Sequence, residues 1–192
     1  MAWIYEDDDA REFFTGLKGL PDRAVGLLAA TILEVRLESA LKVNLHDSAN
    51  KKLFRMLFDY SGVAASFGNR INLGFAIGLY TEGTMSDLHV IRRIRNEFTN
   101  KQFLKDFDVQ GMRTLILTLR IAEKYEINMN DKISSSGYES CSFALASSVI
   151  RQSSVENVIS LRNRFIRSVE LIAAFLFLEG HLSESVRRSP KF

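Results

Sequence analysis

The chain predicts an all-α fold, a single-domain bundle of about six to eight helices. Three observations lead there. Only two prolines occur, Pro21 and Pro190, and both sit at punctuation points. Long apolar runs recur at helical spacing without the strict alternation of half-buried strands. At 192 residues, one domain buries roughly 70% of its extended-chain surface, enough for a core without disulfide staples.

Residues 7–19 read as a short amphipathic helix, broken by Gly16 and Gly19. Pro21-Asp22 then opens a long helix over about 22–45, with proline and an acid in the first turn, where both are favoured. That helix is apolar nearly all round. Its polar residues Thr31, Glu34, Glu38 and Lys42 follow i, i+3, i+4 spacing and form one narrow stripe, facing either solvent or a polar interior site. Arg36 stands off the stripe.

Residues 49–58 form a short amphipathic piece, and Tyr60-Ser61-Gly62 breaks the chain. A helix follows over 67–79, on which Gly74 and Gly78 read as close-packing positions. Thr81 or Thr84 then caps the next helix, since Thr84-x-x-Asp87 is close to a capping box. On that helix, 87–100, Leu88, Ile91, Ile94 and Phe98 mark the core face, Arg95 and Thr99 fall beside it, and His89, Arg92, Arg93, Asn96 and Asn100 take the polar side. Residues 109–125 predict another helix, carrying Met112, Leu115, Ile116, Leu119 and Ala122. Residues 128–154 read as a polar loop with a short helix around 143–150, and 155–182 as a long closing helix.

Several function classes find no support in the composition. The net charge of +2 is too small to argue for nucleic acid by itself. One cysteine, Cys141, excludes an internal disulfide and makes the cytoplasm the default compartment. The acidic start, Glu6-Asp7-Asp8-Asp9, is the reverse of a secretory n-region. The most apolar run, Leu171 to Leu178, is far shorter than the ~20 residues of a spanning helix, so no membrane partner is expected. Three scattered histidines, His46, His89 and His181, give no metal spacing. Ser160, Ser168 and Cys141 have no visible base, and no glycine-rich phosphate loop occurs. No cofactor and no catalytic set are expected.

The most informative segment is 66–100. It holds Arg70-Ile71-Asn72-Leu73-Gly74-Phe75-Ala76-Ile77-Gly78-Leu79-Tyr80 and then Ile91-Arg92-Arg93-Ile94-Arg95-Asn96-Glu97-Phe98-Thr99-Asn100. These resemble the mannitol operon repressor family, whose helices carry Arg-Ile-x-Leu-Ala-x-Ala-Leu-Gly-Leu-Ile and Ile-Arg-x-Ile-Arg-Asn-x-Phe-Ala-His. The long helix, beginning Asp22-Arg23-Ala24, resembles the family too. The resemblance covers most of 21–125, weakly the last helix, and not 128–154. It divides the chain into an N-terminal helix (1–20), a family-like core (21–125), a variable loop (126–154), a closing helix (155–183) and a tail (184–192).

The ending Arg-Asn-x-Phe-x-His also resembles the wider HEPN group of helical bundles. In its ribonuclease members that arginine and histidine do the chemistry. Here Arg95 holds the arginine position, and Thr99-Asn100 stands where Ala-His is common.

The candidate functional cluster is therefore Arg70, Arg92, Arg95, Asn96 and Asn100. Arg95 is expected to be at least half buried and paired with Glu34 or Glu38, because a buried guanidinium requires a carboxylate; the alternative is a clamp for phosphate. Asn96 and Asn100 either end the helix in a left-handed conformation or join His89 in a site. The pair 67–79 and 87–100 also fits a helix-turn-helix, although its basic residues lie at the C-terminal end of the second helix. Arg162, Arg164 and Arg167 read as a solvated face. The resemblance implies a regulator of transcription. Lacking a catalytic set, the chain is expected to act through an unidentified protein partner. The alternatives are a HEPN-type ribonuclease or a direct DNA-binding repressor. The run Ile172 to Leu178 exceeds what one helical face can bury, so a homodimer with its contact at this helix or beside it is expected.

Overall fold

Helix α2, Asp22–Asn44, is the axis around which the rest of the molecule is arranged. A computed structural model describes residues 8–45, 51–101, 103, 106–122 and 160–188. Among the described residues there are seven helices and no strand: α1 Asp8–Leu17, α2, α3 Lys51–Phe58, α4 Phe67–Ala76, α5 Glu82–Asn100, α6 Gln110–Leu117 and α7 Leu161–Arg188. The fold is an all-α multi-helix bundle. Residues 128–154, and with them the short helix expected at 143–150, lie outside the described residues.

The apolar faces read from the sequence become the core. α2 buries Val25, Ala29, Ala30, Leu33, Leu37, Ala40 and Leu41, and its small alanines let neighbouring helices approach closely. α7 packs along α2, and α5 and α4 pack against it from other sides. On α5, Leu88, Ile91, Ile94 and Phe98 are all fully buried. Phe98, Phe107 and Phe165 form an aromatic ladder from α5 to α7, with ring centroids 5.4 and 5.0 Å apart.

Several expectations need correction. The run in α7 leaves no exposed patch: Ile172, Ala173, Phe175 and Leu176 are buried, and Phe177 lies under the Arg36 guanidinium, 5.1 Å from ring centroid to Cζ. The premise for a dimer contact on this helix is therefore absent. Gly78 is not on a helix. It follows α4 with φ of 74°, and the Leu79 N–H bonds back to the Gly74 carbonyl, a glycine C-cap. Gly74 does pack closely, since a Cβ there would collide with the Tyr80 hydroxyl. That hydroxyl donates to the Ile71 carbonyl at 2.7 Å, and burial raises its pKa.

The capping box at Thr84 and Asp87 does not form. Helix α5 starts earlier, after Thr81, and Asp87 reaches across to residues 120–121 instead. The helix expected over 109–125 is interrupted after Leu117. Arg164 donates to the carbonyls of Ile116 (3.1 Å), Leu117 (3.3 Å) and Leu119, satisfying groups that a helix end leaves orphaned. Asp87 accepts from the N–H groups of Arg120 (3.1 Å) and Ile121 (2.8 Å) on the far side of the break.

The arginines of α7 are likewise not a solvated face. Arg164 is buried. Arg162 bonds the Asp22 carboxylate and the carbonyls of Leu17, Lys18 and Leu20, closing the end of α1 onto the start of α2. Arg167 pairs with buried Glu170 at 3.3 Å. Of the two described serines considered as nucleophiles, Ser168 is fully buried and donates to the Arg164 carbonyl. Ser160 accepts from the Asn163 N–H.

Candidate functional site

The polar stripe of α2 faces the start of α4 and the middle of α5. Glu34 and Glu38 lie one turn apart, so their carboxylates stack along one line. Opposite them the two helices deliver Arg70 and Arg95. Arg95 Nη1 meets Glu34 Oε2 at 2.6 Å. Arg70 Nη1 meets Glu34 Oε1 at 3.4 Å and Glu38 Oε2 at 3.0 Å. Lys42 pairs with Glu38 Oε1. The charges thus alternate in one chain: Arg95, Glu34, Arg70, Glu38, Lys42. Each of the four carboxylate oxygens faces a cation.

Local structure explains why these side chains meet. Ser66 caps α4 by accepting from the Asn69 N–H at 3.1 Å, which fixes where the helix begins and hence where Arg70 points. Arg70 Nε donates to the Ala64 carbonyl at 2.9 Å, tying it to the loop before that cap. Aromatic faces complete the site. Arg70 and Lys42 lie over the Phe58 ring, at 5.9 and 5.2 Å from its centroid, and Arg95 lies over Phe67 at 5.3 Å. The Arg70 side chain is only 11% exposed, whereas that of Arg95 keeps 26%. The first is enclosed and the second borders solvent.

The remaining cluster members do not join this network. Arg92, three residues before Arg95, turns to the outer side and lies over Gly68 in α4. Its Nε is buried with no hydrogen-bond partner. Asn96 is part-buried inside α5, and Asn100 is exposed at its end. Neither ends the helix in a left-handed turn: α5 closes at Lys101 with φ of −103° and ψ of 94°, an extended conformation. His89 bonds Asn72 of α4, Nε2 to Oδ1, at 2.9 Å. Its pKa is lowered, by burial first and by the nearby Arg92 charge second. The sequence-defined cluster is therefore two neighbouring groups: Arg70 and Arg95 on the glutamates of α2, and Arg92 with His89 against α4.

Asp87 is the buried carboxylate that the sequence reading placed in the wrong role. Burial raises its pKa, against the lowering effect of the two backbone bonds and of the Arg120 and Arg164 charges. The Asp87–Arg164 brace around residues 116–121 carried no sequence signal beyond an acid among buried α5 positions.

A different surface presents apolar residues. Along α3 and the turn after it, Leu53, Met56, Val63 and Tyr60 are 43%, 63%, 69% and 103% exposed, beside exposed Lys52 and Arg55. Among the described residues, no helix is long and apolar enough to cross a membrane, and no group of three or more His, Cys, Asp or Glu is placed to hold a metal ion. Comparison of the chain with models of protein families, with curated proteins and with solved structures finds no match.

Proposed function

We propose that this chain is a cytoplasmic regulator of transcription, related to the mannitol operon repressors, that acts by binding another protein and not by catalysis. One observation carries the non-catalytic half of this reading. Arg95, the arginine of the HEPN-like motif, is engaged by Glu34, and Arg70 closes the same glutamates from the other side. A ribonuclease of that kind needs its arginine turned toward substrate beside an imidazole. Here the position of the imidazole is Asn100, which cannot exchange a proton near neutral pH. The binding half is supported by the exposed apolar side chains of α3 and its turn, since a contiguous apolar patch commonly marks an interaction surface.

The test is photo-crosslinking in the native host from Met56, with a solvent-facing position on another helix as control. The reading expects one discrete adduct from Met56, lost when Tyr60→Ser and Val63→Ser are added. A homodimer, which no longer has its premise on α7, would register here as a self-adduct. Cleavage of RNA by the purified protein that survives repurification and falls in Arg95→Lys would overturn the non-catalytic reading. Nanomolar binding to a specific duplex that depends on Arg92 and Arg93 would overturn the adaptor mechanism.

A further inference from the structure

The outer face of α4 and α5 holds a polar cluster around one arginine that the internal network does not use. His89 and Arg92 are three residues apart on α5, so they project from one side about 4.5 Å apart along the axis. Gly68 leaves room for Arg92 to lie against α4: a Cβ at position 68 would meet Arg92 Cζ and Nε at 3.5 Å each. No hydrogen bond or ion pair holds Arg92 within the described residues. Its Nε is buried and orphaned, while the two Nη groups reach solvent. An unpartnered buried donor on a charged group is expensive, more so than for a neutral one. Every other described arginine near α2, α4 and α5 that is comparably enclosed has a carboxylate or a carbonyl.

The neighbouring groups are donors as well. Where His89 Nε2 donates to Asn72 Oδ1, the Asn72 amide N–H₂ is left to face outward, and the exposed Arg93 follows on α5. The acids nearest in sequence are engaged elsewhere: Asp87 is buried on residues 120–121, and Glu97 pairs with Lys101 at 2.5 Å. We propose that Arg92 and Asn72, with His89 holding the Asn72 amide in place, form a binding site for a phosphate group carried on a small molecule. The guanidinium Nη groups with the Asn72 amide beside them supply donors from two sides, and a dianionic phosphate draws on them more strongly than a singly charged carboxylate. A single such cluster offers about one phosphate contact, whereas nucleic-acid binding draws on many. This site shares no residue with α3 and stands whether or not the protein-partner reading holds.

The chain has three histidines, so the His89 imidazole signal is identifiable by NMR through its loss in His89→Gln. The probe is inorganic phosphate, titrated at constant ionic strength against chloride and against acetate. The expected result is a saturable shift of the His89 signal, at least ten-fold weaker in Arg92→Met and absent with chloride. Because Arg92 has no internal partner, Arg92→Met should also melt at the same temperature as the parent or higher. A linear, unsaturating shift, an equal response to acetate, or an unchanged response in Arg92→Met would overturn the proposal. So would a large fall in the melting temperature of Arg92→Met, which would make the arginine structural. A short oligonucleotide that saturates His89 at micromolar concentration, with inorganic phosphate silent, would overturn assignment to a small ligand.

Discussion

Arg92 and Arg95 sit less than one turn apart on the same helix, and their surroundings are opposite. Arg95 meets a glutamate and an aromatic face, and it extends a chain of five alternating charges. Arg92 is partly enclosed against a glycine, with a buried nitrogen that has no partner. Positions three residues apart differ by only about 60° around the axis, and that step takes Arg95 to the glutamates of α2 while Arg92 lies over Gly68 of α4. The lesson is that an arginine-rich helix end is not one feature. Burial with a partner indicates a brace; burial without one indicates a group held for something outside the fold.

Substitutions can break this contrast, and the largest effect should come from Arg70. It is the most enclosed member of the network and serves both glutamates and the Ala64 carbonyl. Arg70→Ala should destabilise by about 3–5 kcal/mol, the range for removing one partner of a buried pair. Urea unfolding monitored by circular dichroism checks it, and a loss under about 1 kcal/mol would mean the network is decorative.

Asp87→Ala should come next. It strands the buried N–H of Ile121 and the part-buried N–H of Arg120, and should cost about 2–4 kcal/mol, since a fully buried unsatisfied donor costs roughly 1–3 kcal/mol and a part-buried one less. Asp87→Asn keeps an acceptor and avoids burying a charge, so it should cost clearly less in the same unfolding measurement.

Arg95→Ala should be smaller again, about 1–2 kcal/mol, because a side chain that is a quarter exposed is partly screened. Arg92→Met should cost nothing. The ordering Arg70, Arg95, Arg92 is the structural claim in one series.

The smallest effect concerns pH. The pKa of His89 is depressed from 6.5 in the folded protein by burial and by Arg92. A depressed histidine leaves stability intact above 6.5. Stability is then lost as pH falls below 6.5 toward the folded value, because the unfolded chain takes the proton first. His89→Gln should therefore flatten this part of the stability profile, and Arg92→Met should flatten it partially. Urea midpoints measured in steps from pH 7.5 to 5 test both. A steeper acid loss in Arg92→Met would reverse the sign and contradict the geometry.

Much of this was legible in the sequence. Leu88, Ile91, Ile94 and Phe98 keep helical spacing, so the core face of α5 followed directly. The stripe on α2 was left facing either solvent or a polar site, but Glu34 and Glu38 were the expected partners of Arg95, and Arg95 meets Glu34 because a planar fork suits a carboxylate there. Arg70 was found only as a member of a cluster. Its link to both glutamates depends on where Ser66 starts α4, which spacing alone does not fix.

The arginines of α7 misled for a physical reason. Charged residues on a helix are usually solvated, and the carbonyl ends of α1 and α6 that bind Arg162 and Arg164 come from distant sequence. A clue was present, since Phe165 and Ile166 follow at once and leave little solvent-facing surface. The break after Leu117 was invisible because the apolar period runs on through Leu119 and Ala122 with no glycine or proline to mark it. Asp87 was mistaken for a capping residue because its spacing from Thr84 fits that pattern. Only the tertiary fold brings residues 120–121 to it.

The most direct test of the central claim is a pair of double-mutant cycles by equilibrium unfolding, Glu34→Gln with Arg95→Met and Glu34→Gln with Arg92→Met. The account predicts a coupling of about 1–3 kcal/mol in the first cycle and additivity within about 0.5 kcal/mol in the second. Equal coupling in both cycles, or none in the first, would contradict the division of α5 into a structural face and a binding face.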